Sequence, residues 1–375
     1  MTTALFQPLQ LRQLSLANRV VVSPMCQYSA DHGNATDWHT MHLGSMTQSS
    51  AGLVLIEATA VSDPGRITPG CLGLWNDANE AALKRVLDAI RPHANTRIGI
   101  QLAHAGRKAS SAAPWLGGQL MDLSRGGWVP MAPSSQPHRP EEAAPREMTP
   151  TDIAAVIDQF AAAAARADRL GLEAIELHCA HGYLLHQFLS PVSNRRNDAF
   201  GGSPENRMRL PLAVFDTVRK AWPAHKPLGV RVSASDWLEH LDRESWTLPQ
   251  TLQFVAELKA RGCDWIDASS GGISPEQKIN PGAGYQVHFA QAIRKASGLP
   301  TMAVGLITEP QQAEHIVASG QADMVALARA MLWNPRWVWH AAAALGGDIS
   351  PPPQYGRAAP RAHASLFSKV PMGMR

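Results

Sequence analysis

Leu172-Glu173-Ala174-Ile175-Glu176-Leu177 runs directly into His178-Cys179-Ala180-His181-Gly182-Tyr183, so a short apolar run ends in three proton-carrying side chains. Gly171 bounds the run, and a helical pattern from Thr149 to Leu170 precedes it. A short apolar run after a helix reads as a strand. His178 then stands at the strand's C-terminal end, which faces the active site in a parallel α/β barrel. Two imidazoles three residues apart can converge there on one substrate atom, with Tyr183 beside them as a weak acid. An HxxH pair alone is a weak signal, because a lone histidine is more often a satisfied core or loop residue. His39-Thr40-Met41-His42 is a second such pair, so the alternative is a metal-dependent barrel hydrolase using His39, His42, His178 and His181. Against metal, no Asp or Glu stands at ligand spacing beside either pair and no CxxC occurs.

Working outward, β-rich apolar runs alternate with helical segments along the whole chain, which argues for βα units and a parallel sheet. The strand candidates are Arg19 to Ser23, Leu53 to Glu57, Ile98 to Leu102, Ala174 to His178, Leu228 to Val232, Trp265 to Ser269, Thr301 to Gly305 and Met324 to Ala328. Eight is the closing number of a (β/α)8 barrel, whereas open doubly wound sheets usually have fewer strands. Helix starts carry local caps: Asn76 or Asp77, Thr149-Pro150 with Asp152, Ser203-Pro204 with Glu205, Thr247 with Gln250, and Thr308 with Gln311. One barrel over 1–347 is expected. A Ser-, Pro- and Gly-rich excursion over 109–148 follows the third strand, about forty residues where a βα loop usually has a handful. From 348 to 375, Pro351-Pro352-Pro353 opens an extended, partly disordered C-terminal arm.

Composition narrows the class. With 375 residues, 45% of them hydrophobic, the chain can bury a large core. A net charge of +3 with scattered Lys and Arg argues against a nucleic-acid footprint. The start of the chain lacks the basic and apolar regions of a signal peptide, and no apolar run approaches the ~20 residues of a membrane span. Four distant cysteines suit a reducing cytoplasm, the expected location.

Polar residues collect at the C-terminal strand ends: Ser23-Pro24-Met25-Cys26 with Tyr28; Glu57-Ala58; Gln101 with His104 and Lys108; His178, His181 and Tyr183; Arg231; Ser269-Ser270-Gly271-Gly272; Gly305; and Arg329. Stability needs no such convergence at one rim. Gly271-Gly272, Gly305 and Arg329 read as a phosphate cradle, so a phosphorylated ligand is expected, either a sugar phosphate or a nucleotide cofactor. Neither GxGxxG nor a P-loop follows any strand. Arg231 and Gln101 suit the carbonyl and N–H edges of a heterocycle, and Cys26 is placed to touch it.

The chain resembles the Old Yellow Enzyme family of FMN-dependent ene-reductases, in its thermophilic-like branch. The resemblance rests on Asn18-Arg19, Ser23 to Cys26 with Tyr28, Gln101 to Lys108, His178 to Tyr183, Ser190-Pro191 to Arg207, and Arg231-Val232-Ser233. It implies FMN across the barrel mouth, touched by Ser23, Pro24, Met25, Cys26, Ala58, Gln101 and Arg231, with the phosphate near Gly305, Ala328 and Arg329. It also implies NADPH, or NADH, as transient donor, and reduction of the C=C bond of enones, enals or quinones. His178, His181 and Tyr28 would bind the substrate carbonyl, Tyr183 would supply the proton, and Cys26 would tune the flavin. Arg357, after Gln354-Tyr355, matches a C-terminal arginine that reaches a neighbouring subunit's site, which implies at least a homodimer. Two departures are Ala328, where the family usually has glycine, and Cys179, where alanine is common.

Overall fold

A computed structural model describes residues 3–367. All eight strand candidates form one closed parallel barrel: β3 (Val20–Val22), β4 (Leu53–Ala60), β5 (Arg97–Ala103), β8 (Ala174–Cys179), β9 (Leu228–Ser233), β10 (Trp265–Ser269), β11 (Thr301–Ala303) and β12 (Met324–Leu327). Each strand pairs with the next in the chain, and β12 closes onto β3 through Leu327 opposite Val22. Parallel strands covered on both faces should be apolar throughout. In β4, β8, β9 and β10 every residue is buried.

Ten helices complete the fold among the described residues: α1 (Asp37–Thr47), α2 (Asp77–Ile90), α3 (Pro150–Arg169), α4 (Leu184–Leu189), α5 (Pro204–Ala221), α6 (Leu248–Ala260), α7 (Val287–Ser297), α8 (Pro310–Ala318), α9 (Arg329–Trp333) and α10 (Trp337–Leu345). Local chemistry sets their starts. Thr149 and Asp152 form a reciprocal capping box ahead of Pro150, Asn76 accepts the Asn79 N–H, and Ser203 accepts that of Asn206. The expected cap at Thr308 is displaced. Pro310 takes the first helical position and makes Glu309 the cap residue, while the Thr308 carbonyl accepts the indole N–H of Trp337.

Two features were not anticipated. A hairpin, β1 (Leu9–Leu11) with β2 (Leu14–Leu16), places Leu11, Leu14 and Leu16 in one apolar cluster with Leu53, Leu55, Ala174, Trp265, Met302 and Met324. It plugs the barrel beneath the strands, and each such buried side chain is worth about 1.5–3 kcal/mol. Within the excursion, β6 (Met131–Ala132) pairs with β7 (Arg146–Glu147). Arg196 donates to the Pro133 and Met148 carbonyls and Arg107 to those of Gln136 and Pro137, so side-chain hydrogen bonds tie the excursion to the barrel. The segment following α10 folds back on it: Trp339 meets the rings of Tyr355 and Phe367, at 6.0 and 5.1 Å. Residues 368–375 of the expected arm lie outside the described residues.

Candidate active site

Strand register brings the polar residues of the mouth side by side. A bulge in β4 lets Ala58 stand opposite Gln101 and throws out Glu57, whose carboxylate accepts the Gln27 N–H. Gln101 lies opposite Glu176, His178 opposite Arg231, and Arg231 opposite Asp267. Gln101 donates to Glu176 at 2.7 Å, and burial beside Asp267 raises the Glu176 carboxyl to about 8. Arg231 donates to Ser23 Oγ. Its Nε approaches Asp267 to 3.3 Å, but neither that nitrogen nor the two Asp267 oxygens makes a hydrogen bond. Buried polar groups left in this condition call for an explanation, and a ligand that supplies the missing bonds is one.

His178 and His181 meet with ring nitrogens 3.4 Å apart, and His181 Nε2 lies 2.6 Å from Ser269 Oγ. His178 Nδ1 is buried and has no partner. The Tyr183 ring packs edge-on against His178 at 5.0 Å. Burial, with Arg231 second, holds both imidazoles well below their usual pKa, so they are neutral near pH 7. Burial pushes the Tyr183 phenol well up, with the Cys26 thiol second, so it keeps its proton. His181 (φ 57°) and Tyr28 (φ 51°) both adopt left-handed backbone, a strain common at functional sites.

Cys26 and Tyr28 share the opposite wall. Burial raises the Cys26 thiol, with Cys71 and Glu57 adding to it, and burial likewise raises the Tyr28 phenol. Sequence reasoning gave no role to Lys108 or Trp115, yet both are here. Lys108 Nζ donates to the His181 and Gly272 carbonyls and lies 5.1 Å from the Tyr183 ring centre. Burial beside Arg107 and Arg139 lowers its ammonium to about 8. Trp115, from the excursion, touches Tyr28 edge-on at 5.6 Å. The Gly106-Arg107-Lys108 turn following β5 was the signal for the lysine; an exposed tryptophan in a long loop gave none.

A hollow of about 200 Å³ opens between β11 and β12, lined by Ser23, Arg231, Gly305, Ala328 and Arg329 and shared with His181 and Ser269. Pro24, Met25, Cys26, Ala58 and Gln101 do not line it; they stand on neighbouring strand ends. Gly305 has φ 114°, and a Cβ there would lie 3.0 Å from Gln286 Nε2. Ala328 has φ −106°, so its methyl brings no backbone strain. The expected part of Gly271-Gly272 in this cradle is not observed. A Cβ on Gly272 would sit 2.4 Å from the His181 carbonyl carbon, so this glycine lets two loops press together, while Gly271 faces the Gln277 and Ile279 side chains. Arg357 is exposed and makes no contact with the mouth.

Three of the four imidazoles of the metal alternative are engaged in two separate networks. His39 Nδ1 accepts the Thr36 N–H, a helix-capping contact, and its Nε2 faces Glu57 at 3.3 Å. His178 and His181 contact Tyr183, Ser269 and one another. Among the described residues no group of three or more His, Cys, Asp or Glu is placed to hold a metal ion.

A closed parallel barrel with neutral imidazoles, a protonated phenol and an anion-sized hollow at one mouth belongs to the (β/α)8 class of enzymes. Residues 4–346 match the NADH:flavin oxidoreductase / NADH oxidase family. An NADPH dehydrogenase of Geobacillus thermodenitrificans is 43% identical over 95% of this chain and 99% of its own length. A Gibberella zeae NADH:flavin oxidoreductase is also 43% identical, over 93% and 87%. The solved structure of morphinone reductase superposes with a TM-score of 0.73 at 27% identity, over 93% of this chain and 91% of that one. The chain belongs to the NADH:flavin oxidoreductase / NADH oxidase family, as an FMN-dependent NAD(P)H oxidoreductase of the Old Yellow Enzyme kind.

Proposed function

We propose that the chain uses NADPH to reduce the C=C bond of α,β-unsaturated carbonyl compounds. The observation that carries this reading is the unpartnered, buried His178 Nδ1 beside the protonated Tyr183. The residues fit FMN: the hollow has room and a cation for a phosphate at Gly305, Ala328 and Arg329, and Arg231 Nε, though 3.3 Å from Asp267, makes no hydrogen bond. Ser23, Pro24, Met25, Cys26, Ala58, Gln101 and Arg231 would hold the rest of the group. When bound there, FMN would supply two-electron hydride chemistry between NADPH and the alkene carbon β to the carbonyl.

The chain's own residues do the remainder. His178 donates from Nδ1 to the carbonyl oxygen, and His181 joins it by exchanging its Ser269 contact, so charge growing on that oxygen is stabilised. A neutral imidazole has one hydrogen, so for both rings to donate, His178 carries it on Nδ1 and His181 on Nε2, and the 3.4 Å contact between His178 Nε2 and His181 Nδ1 opens on binding. Tyr28, with Trp115 behind it, walls the opposite side and assists at the oxygen. Tyr183 protonates the α-carbon; a phenol is a weak acid, but an enolate carbon is basic enough to take its proton. The excursion over 109–148 covers the site.

The copy number is part of the proposal. Trp38 and Met41 on α1 and Leu332 and Trp333 on α9 are exposed, Trp333 to 91%, and Arg336 ties the two regions by donating to the Ser45 carbonyl. Apolar surface of this kind suits a second copy, and Arg357 of the arm would then reach the neighbouring mouth. Among the described residues no helix is long and apolar enough to cross a membrane; we place the enzyme in the cytoplasm. The test is anaerobic turnover of 2-cyclohexenone with NADPH. Saturated ketone in step with NADPH consumed is expected, and NADPH oxidation by oxygen alone, with no ketone, would sink the reading.

A further inference from the structure

Gly182 separates His181 from Tyr183, and both its polar backbone atoms are gripped from α4. Its N–H donates to His186 Nδ1 at 2.9 Å, and its carbonyl accepts Gln187 Nε2 at 2.7 Å. The His186 ring then reaches across to Asp236, with Nε2 2.9 Å from Oδ1. The other Asp236 oxygen accepts Ser190 Oγ–H at 2.7 Å and the Trp246 N–H at 2.8 Å. Both side chains are wholly buried.

The chemistry of this chain of bonds has one solution. An amide N–H can only donate, so His186 Nδ1 must be bare; the ring proton is on Nε2 and is given to Asp236. Asp236 must accept from three donors, which a carboxylate does and an amide cannot. The two ends therefore impose one tautomer on His186, as a buried aspartate does for the histidine of a catalytic triad. The held peptide needs this. Gly182 (φ 71°) and His181 (φ 57°) are both left-handed, and a Cβ on Gly182 would lie 2.0 Å from the Gly272 carbonyl oxygen. Such a turn persists only where its surroundings over-determine it.

We propose that His186 and Asp236 are positioning residues for proton delivery by Tyr183: the Asp236–His186–Gly182 chain sets where the phenol stands relative to the substrate held by His178. The proposal rests on Tyr183 being the proton donor. An asparagine at 236 has one acceptor for three donors, and flipping the His186 tautomer to suit it would turn Nδ1–H against the Gly182 N–H.

The test compares Asp236→Asn, His186→Leu and His186→Asn, whose Oδ1 can stand near the lost Nδ1. For Asp236→Asn, flavin content and bleaching of the flavin band by NADPH should stay near wild type, and phenol affinity within about threefold, while alkene reduction falls about 10- to 100-fold. His186→Leu should lose as much, and His186→Asn should recover at least about fivefold over it. Equal losses in both half-reactions, no loss, or His186→Asn no better than His186→Leu overturns the proposal; should His186→Leu not fold, Asp236→Asn decides. Tyr183→Phe separates the failures. If its loss is confined to alkene reduction but that of Asp236→Asn is not, only the clamp falls; if Tyr183→Phe shows no such selectivity, the proton-donor reading falls first.

Discussion

The two sides of the barrel mouth are built on opposite principles. At β5, β8 and β9, side chains do the work: His178, His181, Tyr183, Lys108 and Arg231 are tied to neighbours by hydrogen bonds and ring contacts. At β11 and β12 the work is done by what is missing, since Gly305, Ala328 and Ala330 line a hollow with small residues. The first side positions reacting atoms; the second makes room to hold a group. A substitution should therefore damage chemistry on one side and occupancy on the other.

The largest effect tests the chemical side. Tyr183→Phe keeps the ring against His178 but removes the proton, so alkene reduction should fall about 100-fold or more. Bleaching of the flavin band by NADPH should hardly change, because that half-reaction needs no proton from the phenol. Stopped-flow on the separate half-reactions reads both; equal losses would erase the distinction. On the other side, Gly305→Ala puts a methyl on a backbone with φ 114°, 3.0 Å from Gln286 Nε2. FMN affinity should drop about tenfold, the worth of ~1.4 kcal/mol, measured by flavin release on dilution. Turnover per bound flavin should hold; if it fell instead, the hollow would be chemical after all.

The contrast also explains what was legible in the sequence. All eight barrel strands were, because strands buried on both faces become unbroken apolar runs between turn residues. The His178-to-Tyr183 turn was legible because its chemistry lies in adjacent side chains. The hairpin plug was not: three-residue strands leave little pattern, and its turn uses Arg12 at φ 49° where a glycine would have signalled it. Glycines were the ambiguous letters. Gly305 and Gly272 look alike in sequence, yet one lines the hollow and the other admits the His181 backbone, a difference only long-range packing creates. Asp236, fifty residues beyond His186, was silent for the same reason.

Lys108 sharpens the comparison through pH. In the proposed reaction its ammonium, 5.1 Å from the Tyr183 ring centre, would help the phenol give up a proton, and burial has lowered its pKa to about 8. The charge is present below that value and lost above it, so alkene reduction should slow by up to about tenfold as pH rises through ~8, the range of a desolvated cation–π contact. The imidazoles lie well below their usual range and should add no step between about pH 6 and 8. The rate–pH profile of the alkene half-reaction shows both. Lys108→Met should remove the upper inflection, and a profile unaltered by that change would detach the lysine from proton transfer.

The smallest effect is expected from a residue that belongs to neither side of its own barrel. Arg357 is exposed, and the segment that carries it is held through Tyr355, whose ring lies 5.3 Å from the Arg336 guanidinium and 6.0 Å from the Trp339 ring. The Arg357 guanidinium next to that anchor is exposed, as a contact with a second copy would require. A partly exposed charge at such a contact is worth up to ~1 kcal/mol, so Arg357→Ala should raise substrate KM by about fivefold and leave kcat and flavin content alone. Tyr355→Ala should act the same way by loosening the anchor, which ties the effect to the arm's placement as well as to its charge. Light scattering decides the premise: a monomeric mass at assay concentration, or unchanged KM in both variants, would leave the arm packing against its own barrel with no part in substrate binding.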